Sequence, residues 1–346
     1  MKADGNGEIP RSARGMRWVL WIFLGVFVLN ANTLSNGWAL DDTLLITQNT
    51  FTKKGFAGIP AIWSNDVFVG YLGQGGVEKG GRYRPLSQSV FAVQYAIAGD
   101  NPFLGHLTNV LLYALVCSLL FKLLLRLFPE SGSKPFWANV PLLAALLYAV
   151  HPLHAEVVAN IKSLDEILAM LFALLTTWFA VKANEEHRTR YTLLSGLSFF
   201  LALTAKENAI TFLAIVPLAV WYTTKDFERC AVQAAALLLP ALGYFLLRSA
   251  ALGPEPQVAW VDDFLTNPFH GASIPEHFAT AALIFTDYIK LLLFPWPLTT
   301  DYYPAMIPIV GWGDPRAIAG ALLILAAGVS GMAGVREPSM LGFGLL

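Results

Sequence analysis

The sequence predicts an all-α polytopic membrane protein: a helical bundle with a large first outer loop that carries interfacial helices. Three observations lead there. Of 346 residues, 55% are hydrophobic and 14% charged, with a mean hydropathy of +0.54. A soluble domain carries roughly 25% charged and 45–50% apolar residues, so the surplus here needs lipid against its outer face. Apolar runs follow one another closely past residue 105, and one long polar stretch, 36–105, separates the first run from the rest. This composition excludes a secreted disulfide scaffold, a disordered chain and a cytosolic enzyme. Lys+Arg 23 against Asp+Glu 24 leaves a net charge of −1, with no basic body suited to nucleic acid. Cys117 and Cys230 sit in or beside apolar stretches and read as small hydrophobes filling space between helices.

The first element is a polar, basic tail, residues 1–17, with Lys2, Arg11, Arg14 and Arg17. The apolar run 18–35 follows without a small-x-small cleavage site, so it reads as an uncleaved first transmembrane helix. Its basic flank puts the N-terminus in the cytoplasm. Residues 36–105 form the outer loop, periplasmic or luminal. That length is too great for a hairpin, so the segment folds over the membrane surface. Ile59 to Trp63 and Val90 to Ala98 are its helices in the headgroup plane.

From 106 to 346 comes the transmembrane bundle. Its apolar runs cover about 106–128, 137–150, 165–182, 191–205, 208–223, 231–248, 278–294 and 317–334. Several fall short of the roughly 20 residues a crossing needs, which implies snorkelling ends or re-entrant pieces. Alternation from a cytoplasmic start gathers Lys122, Arg126, Lys134, Lys182, Arg188, Arg190, Lys225 and Arg229 inside. The positive-inside rule asks for that bias, and it holds through the seventh span. Beyond it the parity is open. The closing SMLGFGLL starts another apolar run, so the bundle reads as C-terminally incomplete.

On this threading the unexplained ionisable groups fall on the outer side: Asp41, Asp42, Arg84, His106, His151, His154, Glu156, Asp165, Lys206, Glu207 and Arg248. Ionisable groups within or at the edge of spans are costly and face a cavity or a partner. The outer face therefore carries a polar cavity roofed by the large loop. Asp41-Asp42 suits proton abstraction, since one carboxylate raises the pKa of the other. The pair equally suits a divalent cation, or simple solvation in a loop. Tyr83-Arg84-Pro85-Leu86 either sets Arg84 on a phosphate or carboxylate, or has Pro85 open an interfacial helix with Arg84 snorkelling.

His151-Pro152-Leu153-His154-Ala155-Glu156 offers ligand types for a metal, but Pro152 breaks any helical ligand register. A polar lining of the cavity is the reading, with no metal and with Asp165 a loop away. Lys206-Glu207 sits between two apolar runs with no room for a soluble loop. Either Lys206 points at an anionic ligand while Glu207 caps a helix start, or both snorkel outward; Arg248 is a second candidate for the same anion. Asp262-Asp263 reads as a pair of solvated loop acids.

Taken in order, these motifs resemble a known family. They are Asn36-Gly37, Asp41-Asp42, Ile46 to Asn49, Tyr83-Arg84-Pro85-Leu86, His106-Leu107-Thr108-Asn109, His151-Pro152-x-His154-x-Glu156-x-Val158, Asp165, Lys206-Glu207-Asn208, Arg248 and Asn267-Pro268. The series is similar to the membrane domain of the transmembrane and tetratricopeptide-repeat protein O-mannosyltransferases, within the GT-C class of glycosyltransferases. The resemblance implies a GT-C-like bundle and an acidic pair in the first outer loop. It also implies a polyprenyl- or dolichyl-phosphate sugar donor, possible mannose transfer, and an acceptor hydroxyl on protein Ser/Thr outside the cytoplasm. No helical-repeat period is seen in the sequence.

Residues and resemblance together predict an inverting single displacement. Asp41 takes the acceptor proton; Asp42 positions it, tunes its pKa or helps hold a divalent cation. Lys206, Arg248 and Arg84 neutralise the departing phosphate, where charge develops. His154, Glu156, Asp165 and Glu207 line the pocket. The alternative is a transporter or lipid flippase, which usually carries a midplane site within an internal repeat. Polar groups gathered at one face favour the enzyme. The expected location is a bacterial inner membrane or the endoplasmic reticulum, with membrane lipid around the bundle and the site on the non-cytoplasmic side.

Overall fold

The computed structural model describes residues 11–73, 81–129, 134–253, 267–299, 302, 306–336, 342 and 344. Asp262 and Asp263 lie outside the described residues. The described residues are 79% helical, with no strand among them. Among the described residues five helices are long and apolar enough to cross a membrane: Met16–Ser35, Phe103–Leu127, Ile161–Glu186, Phe227–Leu252 and Pro315–Gly334. The protein is an all-α polytopic integral membrane protein. It divides into two compact units, Met1–Pro256 and Gln257–Leu346.

In the first unit α1 (Arg11–Asn30) runs on into a 3-10 turn, Ala31–Ser35. The helices α2 (Pro85–Ala98), α3 (Phe103–Leu127), α4 (Val140–Val150) and α5 (His154–Ala159) follow. Then come α6 (Leu164–Glu186), α7 (Thr189–Ala205), α8 (Phe212–Thr224) and α9 (Phe227–Leu252). Three of the apolar runs make short helices: α4 has 11 residues, α8 has 13 and α7 has 17. At 1.5 Å per residue the first two reach only about 16 and 20 Å, against a hydrocarbon core of about 30 Å. The breaks have local causes. His151 turns extended (φ −66°, ψ 125°) ahead of Pro152, because a residue before proline is driven out of the helical region. Lys206 is extended (φ −157°, ψ 135°) and ends α7.

Neighbouring helices run antiparallel, which gives the unit two distinct ends. At one end Arg126, late in α3, donates to Glu185, late in α6, and its guanidinium lies over the Trp178 ring. Lys182 covers the Tyr191 ring at the α6–α7 turn, and Arg229 opens α9 by donating to Asn184 O. The opposite end gathers the α3 start, the α4–α6 connection, the α7–α8 connection and the α9 end. Between the two ends lies an apolar core that includes Leu164, Ala173, Ala180, Phe199, Leu203 and Leu237, all at most 1% exposed. Deep in it Ser195 Oγ donates to Thr176 O, tying α7 to α6.

Residues 36–72 fold over the polar end as short turns of helix, Thr43–Thr47, Thr50–Lys53, Ile59–Trp63 and Val69–Leu72. The pin is Asn49, fully buried. Its Oδ1 accepts from Phe51 N and Thr52 N, and its Nδ2 donates to Leu44 O and Val67 O. Gly70 is fitted to that side chain, since an added Cβ would fall 2.1 Å from Asn49 Oδ1. α2 packs over the Gly55–Gly58 turn, with Ala96 Cβ 2.9 Å from where a Gly55 Cβ would stand.

Gly105 shows how the bundle positions the polar end. A Cβ there would meet three side-chain atoms of Ile161 at 2.7, 2.9 and 3.1 Å, just beside Lys162. Gly105→Ala is therefore expected to cost about 1–3 kcal/mol by overpacking, read as a lowered melting temperature in detergent.

The second unit pairs α10 (Ile274–Leu293), opened by a Ser273–Glu276 capping box, with α11 (Pro315–Arg336). They approach closely at Gly320, where a Cβ would fall 1.9 Å from Ala282 O. Thr286 Oγ1 donates to Arg316 O across the same contact. Glu276, Asp287 and Lys290 give α10 three charges, and it is not one of the five candidate spans.

Candidate functional site

The two neighbouring acids do different things. Asp42 is fully buried; its Oδ2 accepts from Ala39 N and its Oδ1 from Lys162 N, each at 2.9 Å. The second bond joins the outer segment to the α5–α6 connection across 120 residues of sequence. Burial pushes the Asp42 carboxyl above the usual carboxylate value, and the Ala39 and Lys162 N–H groups, with His106 nearby, offset only part of that. Asp41 is half-buried, and its carboxylate accepts no hydrogen bond among the described residues. Leu40, with φ +47°, turns the chain sharply just ahead of it.

A divalent cation at the pair would have to share Asp42 with the two N–H groups that hold it. Among the described residues no group of three or more His, Cys, Asp or Glu is placed to hold a metal.

Arg84 is the hub of the polar end. It takes the N-cap position of α2, with Pro85 as first helical residue. Its Nε and Nη2 donate to the two oxygens of Glu207 at 2.9 and 2.7 Å, and its Nη1 donates to Asp165 Oδ2 at 2.8 Å. Burial works against the guanidinium charge, but Glu207 and Asp165 outweigh it and hold Arg84 above its ordinary value. Glu207 is pulled the other way: burial would raise it, and the Arg84 fork keeps it lowered. All three faces of the Arg84 fork are thus engaged by carboxylates, so a phosphate would have to compete for it.

The other expected cations differ in how they are held. Lys206 pairs with Glu166, a partner that also accepts from Asn208 Nδ2. Arg248, near the end of α9, donates to Gly81 O at 3.0 Å. Beside it Asp66 accepts from Phe68 N and Arg82 N. Lys162 Nζ is 3.8 Å from Asp165 Oδ2, beyond hydrogen-bond reach.

Arg84, Lys162 and Asp165 line a small cleft, which Lys206, Glu207 and Arg248 do not join. Its apolar wall is Leu45, Val67, Phe68 and Phe91, and its polar wall is Arg82, Arg84, Ser87, Gln88, Lys162 and Asp165. Asp165 and Arg84 belong to the cleft, and Asp42 is tied to it through Lys162. His154 and Glu156 do not join it. His154 Nδ1 donates to Tyr148 O at 2.7 Å and lies 2.9 Å from the Tyr113 hydroxyl, and burial lowers its pKa. Glu156 lies exposed on α5. The expected pocket lining therefore separates, because the His154 ring is taken up by Tyr148 and Tyr113 and Glu156 lies exposed.

Lys162, Gln88, Glu166 and Asp66 were not expected in the site. Gln88 had a signal: it shares a helix face with Phe91 and Ala92 at i+3 and i+4, both buried. Lys162 had none, for its place follows from Asp42 far away in sequence.

The profile of the family described as dolichyl-phosphate-mannose-protein mannosyltransferase matches residues 85–252, which is α2 to α9. The curated protein O-mannosyl-transferase TMTC2 of Homo sapiens is 27% identical over 343 residues, covering 90% of this chain and 38% of that protein. Protein O-mannosyl-transferase TMTC4 of Mus musculus is 26% identical over 339 residues, covering 85% and 44%. Protein O-mannosyl-transferase Tmtc2 of Drosophila melanogaster is 29% identical over 316 residues, covering 88% and 32%. The chain thus spans less than half the length of these relatives. No solved structure matches it.

Proposed function

Since the chain is a relative of the transmembrane and tetratricopeptide-repeat protein O-mannosyl-transferases, we propose that it is a membrane glycosyltransferase. It moves a monosaccharide, mannose by analogy, from a polyprenyl- or dolichyl-phosphate donor to a protein hydroxyl at the non-cytoplasmic face. The observation that carries the reading is the Asp42 bridge. One buried carboxylate holds the segment bearing Asp41, whose own carboxylate is unengaged, against Lys162 of the cleft. In this reading the segment bearing Asp41 supplies the base and Lys162 the anion-binding cation, the two kinds of group that a displacement at a glycosyl phosphate needs.

In this mechanism Asp41 takes the proton of the acceptor hydroxyl, and that oxygen attacks the anomeric carbon. The anomeric carbon–oxygen bond breaks, and the lipid phosphate leaves with the electron pair, inverting the centre. Lys162 receives the developing charge, with Lys206 and Arg248 in support. Lys206 turns to the phosphate only by loosening its bond to Glu166. Asp42 positions Asp41, and Arg84 ties Glu207 to Asp165 in the cleft wall.

Donor profiling tests the reading. Purified protein is offered a panel of polyprenyl-phosphate sugars with peptide acceptors, and products are scored by mass spectrometry. Transfer from a mannosyl donor is the expected result. No transfer from any donor, with labelled solute accumulating in vesicles, would replace the enzyme with a transporter.

A further inference from the structure

The His106-Leu107-Thr108-Asn109 motif has no part in the mechanism above, yet its polar side chains bind three separate segments. All lie near the start of α3. His106 is 1% exposed, and its Nε2 lies 3.3 Å from Gly37 O, 69 residues away. A carbonyl only accepts, so the ring carries a proton on Nε2 and donates there. Thr108 Oγ1 accepts from Gln94 Nε2 of α2 at 2.8 Å. Asn109 is fully buried, and its Nδ2 donates to Asn160 O at 2.8 Å.

The first and last of these bonds act together. His106 and Asn109 are three residues apart, so they share one helix face and stand about 4.5 Å apart along its axis. One holds residue 37, at the start of the segment that carries Asp41. The other holds residue 160, two residues before Lys162. The bond from Lys162 N to Asp42 Oδ1 closes the ring. The two segments are thus fixed to one rigid face as well as to each other.

Stability does not account for these two side chains. His106 Nδ1 and Asn109 Oδ1 are buried with no hydrogen-bond partner among the described residues, and each such atom disfavours the fold. Gly37 is exposed, so its carbonyl can turn to water without His106. Polar side chains kept at a cost to the fold mark functional positions.

We infer that His106 and Asn109 are positioning residues for the transfer reaction: through Gly37 O and Asn160 O, the start of α3 sets where Asp41 stands relative to Lys162. In this role neither side chain touches substrate. The role rests on the glycosyl-transfer reading above, which makes Asp41 the base.

The test uses the full chain in detergent, with dolichyl phosphate mannose and a Ser/Thr peptide. His106→Leu is expected to lower kcat about 10–100-fold, the loss that an ångström-scale displacement of a reacting group brings. KM for the donor and the melting temperature stay near the wild-type values. His106→Gln recovers most of the kcat, because its amide nitrogen stands near the place of the imidazole Nε2. His106→Asn does not, since its shorter amide stops at the level of Nδ1. Should His106→Leu not fold, the Gln and Asn variants decide the matter. Asn109→Leu repeats the kcat loss from the other side of the ring.

Hydrogen exchange supplies a readout apart from activity. In His106→Leu the amides of residues 36–45 exchange about fivefold faster, the weight of one lost hydrogen bond. Unchanged exchange there overturns the inference, and so does an unchanged kcat. A kcat loss shared equally by the Leu, Gln and Asn variants also overturns it, for that pattern marks a merely structural site. Faster exchange beside a wild type that transfers no sugar from any donor instead sinks the enzymatic reading and leaves the tether standing.

Discussion

Asp41→Asn is expected to lower sugar transfer by roughly 10²–10⁴-fold, the range over which a positioned general base contributes. The loss should fall in kcat, with KM for the lipid donor little changed, because the amide fills the same space and removes only the ability to take a proton. Its melting temperature should stay at the wild-type value, since the Asp41 carboxylate supports no hydrogen bond among the described residues. Asp42→Asn provides the contrast. There an NH2 group or a single acceptor must face the Ala39 and Lys162 N–H groups that Asp42 now satisfies with both oxygens. That variant should unfold earlier as well as turn over more slowly. Near-normal turnover in Asp41→Asn would remove Asp41 as the base.

The second large effect is on stability. Arg84→Met leaves Asp165, whose side chain is 3% exposed, with the Glu166 N–H at Oδ1 and no cation closer to Oδ2 than Lys162 at 3.8 Å. Breaking a buried ion pair from one side costs about 3–5 kcal/mol, because the remaining charge is not solvated and keeps only the longer Lys162 contact. Thermal unfolding in detergent should show the drop. Arg84→Lys should recover little, since an ammonium cannot span Glu207 and Asp165 as the planar fork does. The triple change Arg84→Met, Asp165→Leu, Glu207→Gln should recover most of the stability, because no stranded charge is left. If Arg84 instead serves only the donor phosphate, Arg84→Met will melt normally and show a raised KM.

The sequence makes the fold class plain for a simple reason. Excess apolar surface is a bulk property, and the long spans α3, α6 and α9 need no tertiary information to be recognised. The short helices were harder. The run 137–150 looks continuous, yet α4 begins only at Val140, where Asn139 accepts from Leu142 N. At the site, Asp41, Arg84, Asp165 and Glu207 are visible as charges stranded at the ends of apolar runs. What they pair with is not visible. Arg84 meets Glu207 across 123 residues and Lys206 meets Glu166 across 40, and no local pattern encodes either meeting. The same limit explains Arg84 as a phosphate candidate: its two carboxylate partners come from elements that sequence reasoning had placed beside it without joining them. His154 misled in the opposite direction, because its motif reads as polar lining while its ring is taken up by Tyr113 and Tyr148.

The Arg84 fork also sets an order of events during synthesis. The guanidinium leaves the ribosome well before Asp165 and long before Glu207. A nascent chain halted after α6 would hold this cation half-matched, with Asp165 present and Glu207 still to come. Completion of the Arg84 fork must therefore wait until Glu207, just past the α6–α7 hairpin, has been made. Inserted intermediates should be sensitive to proteolysis near Arg84 until residue 207 has emerged.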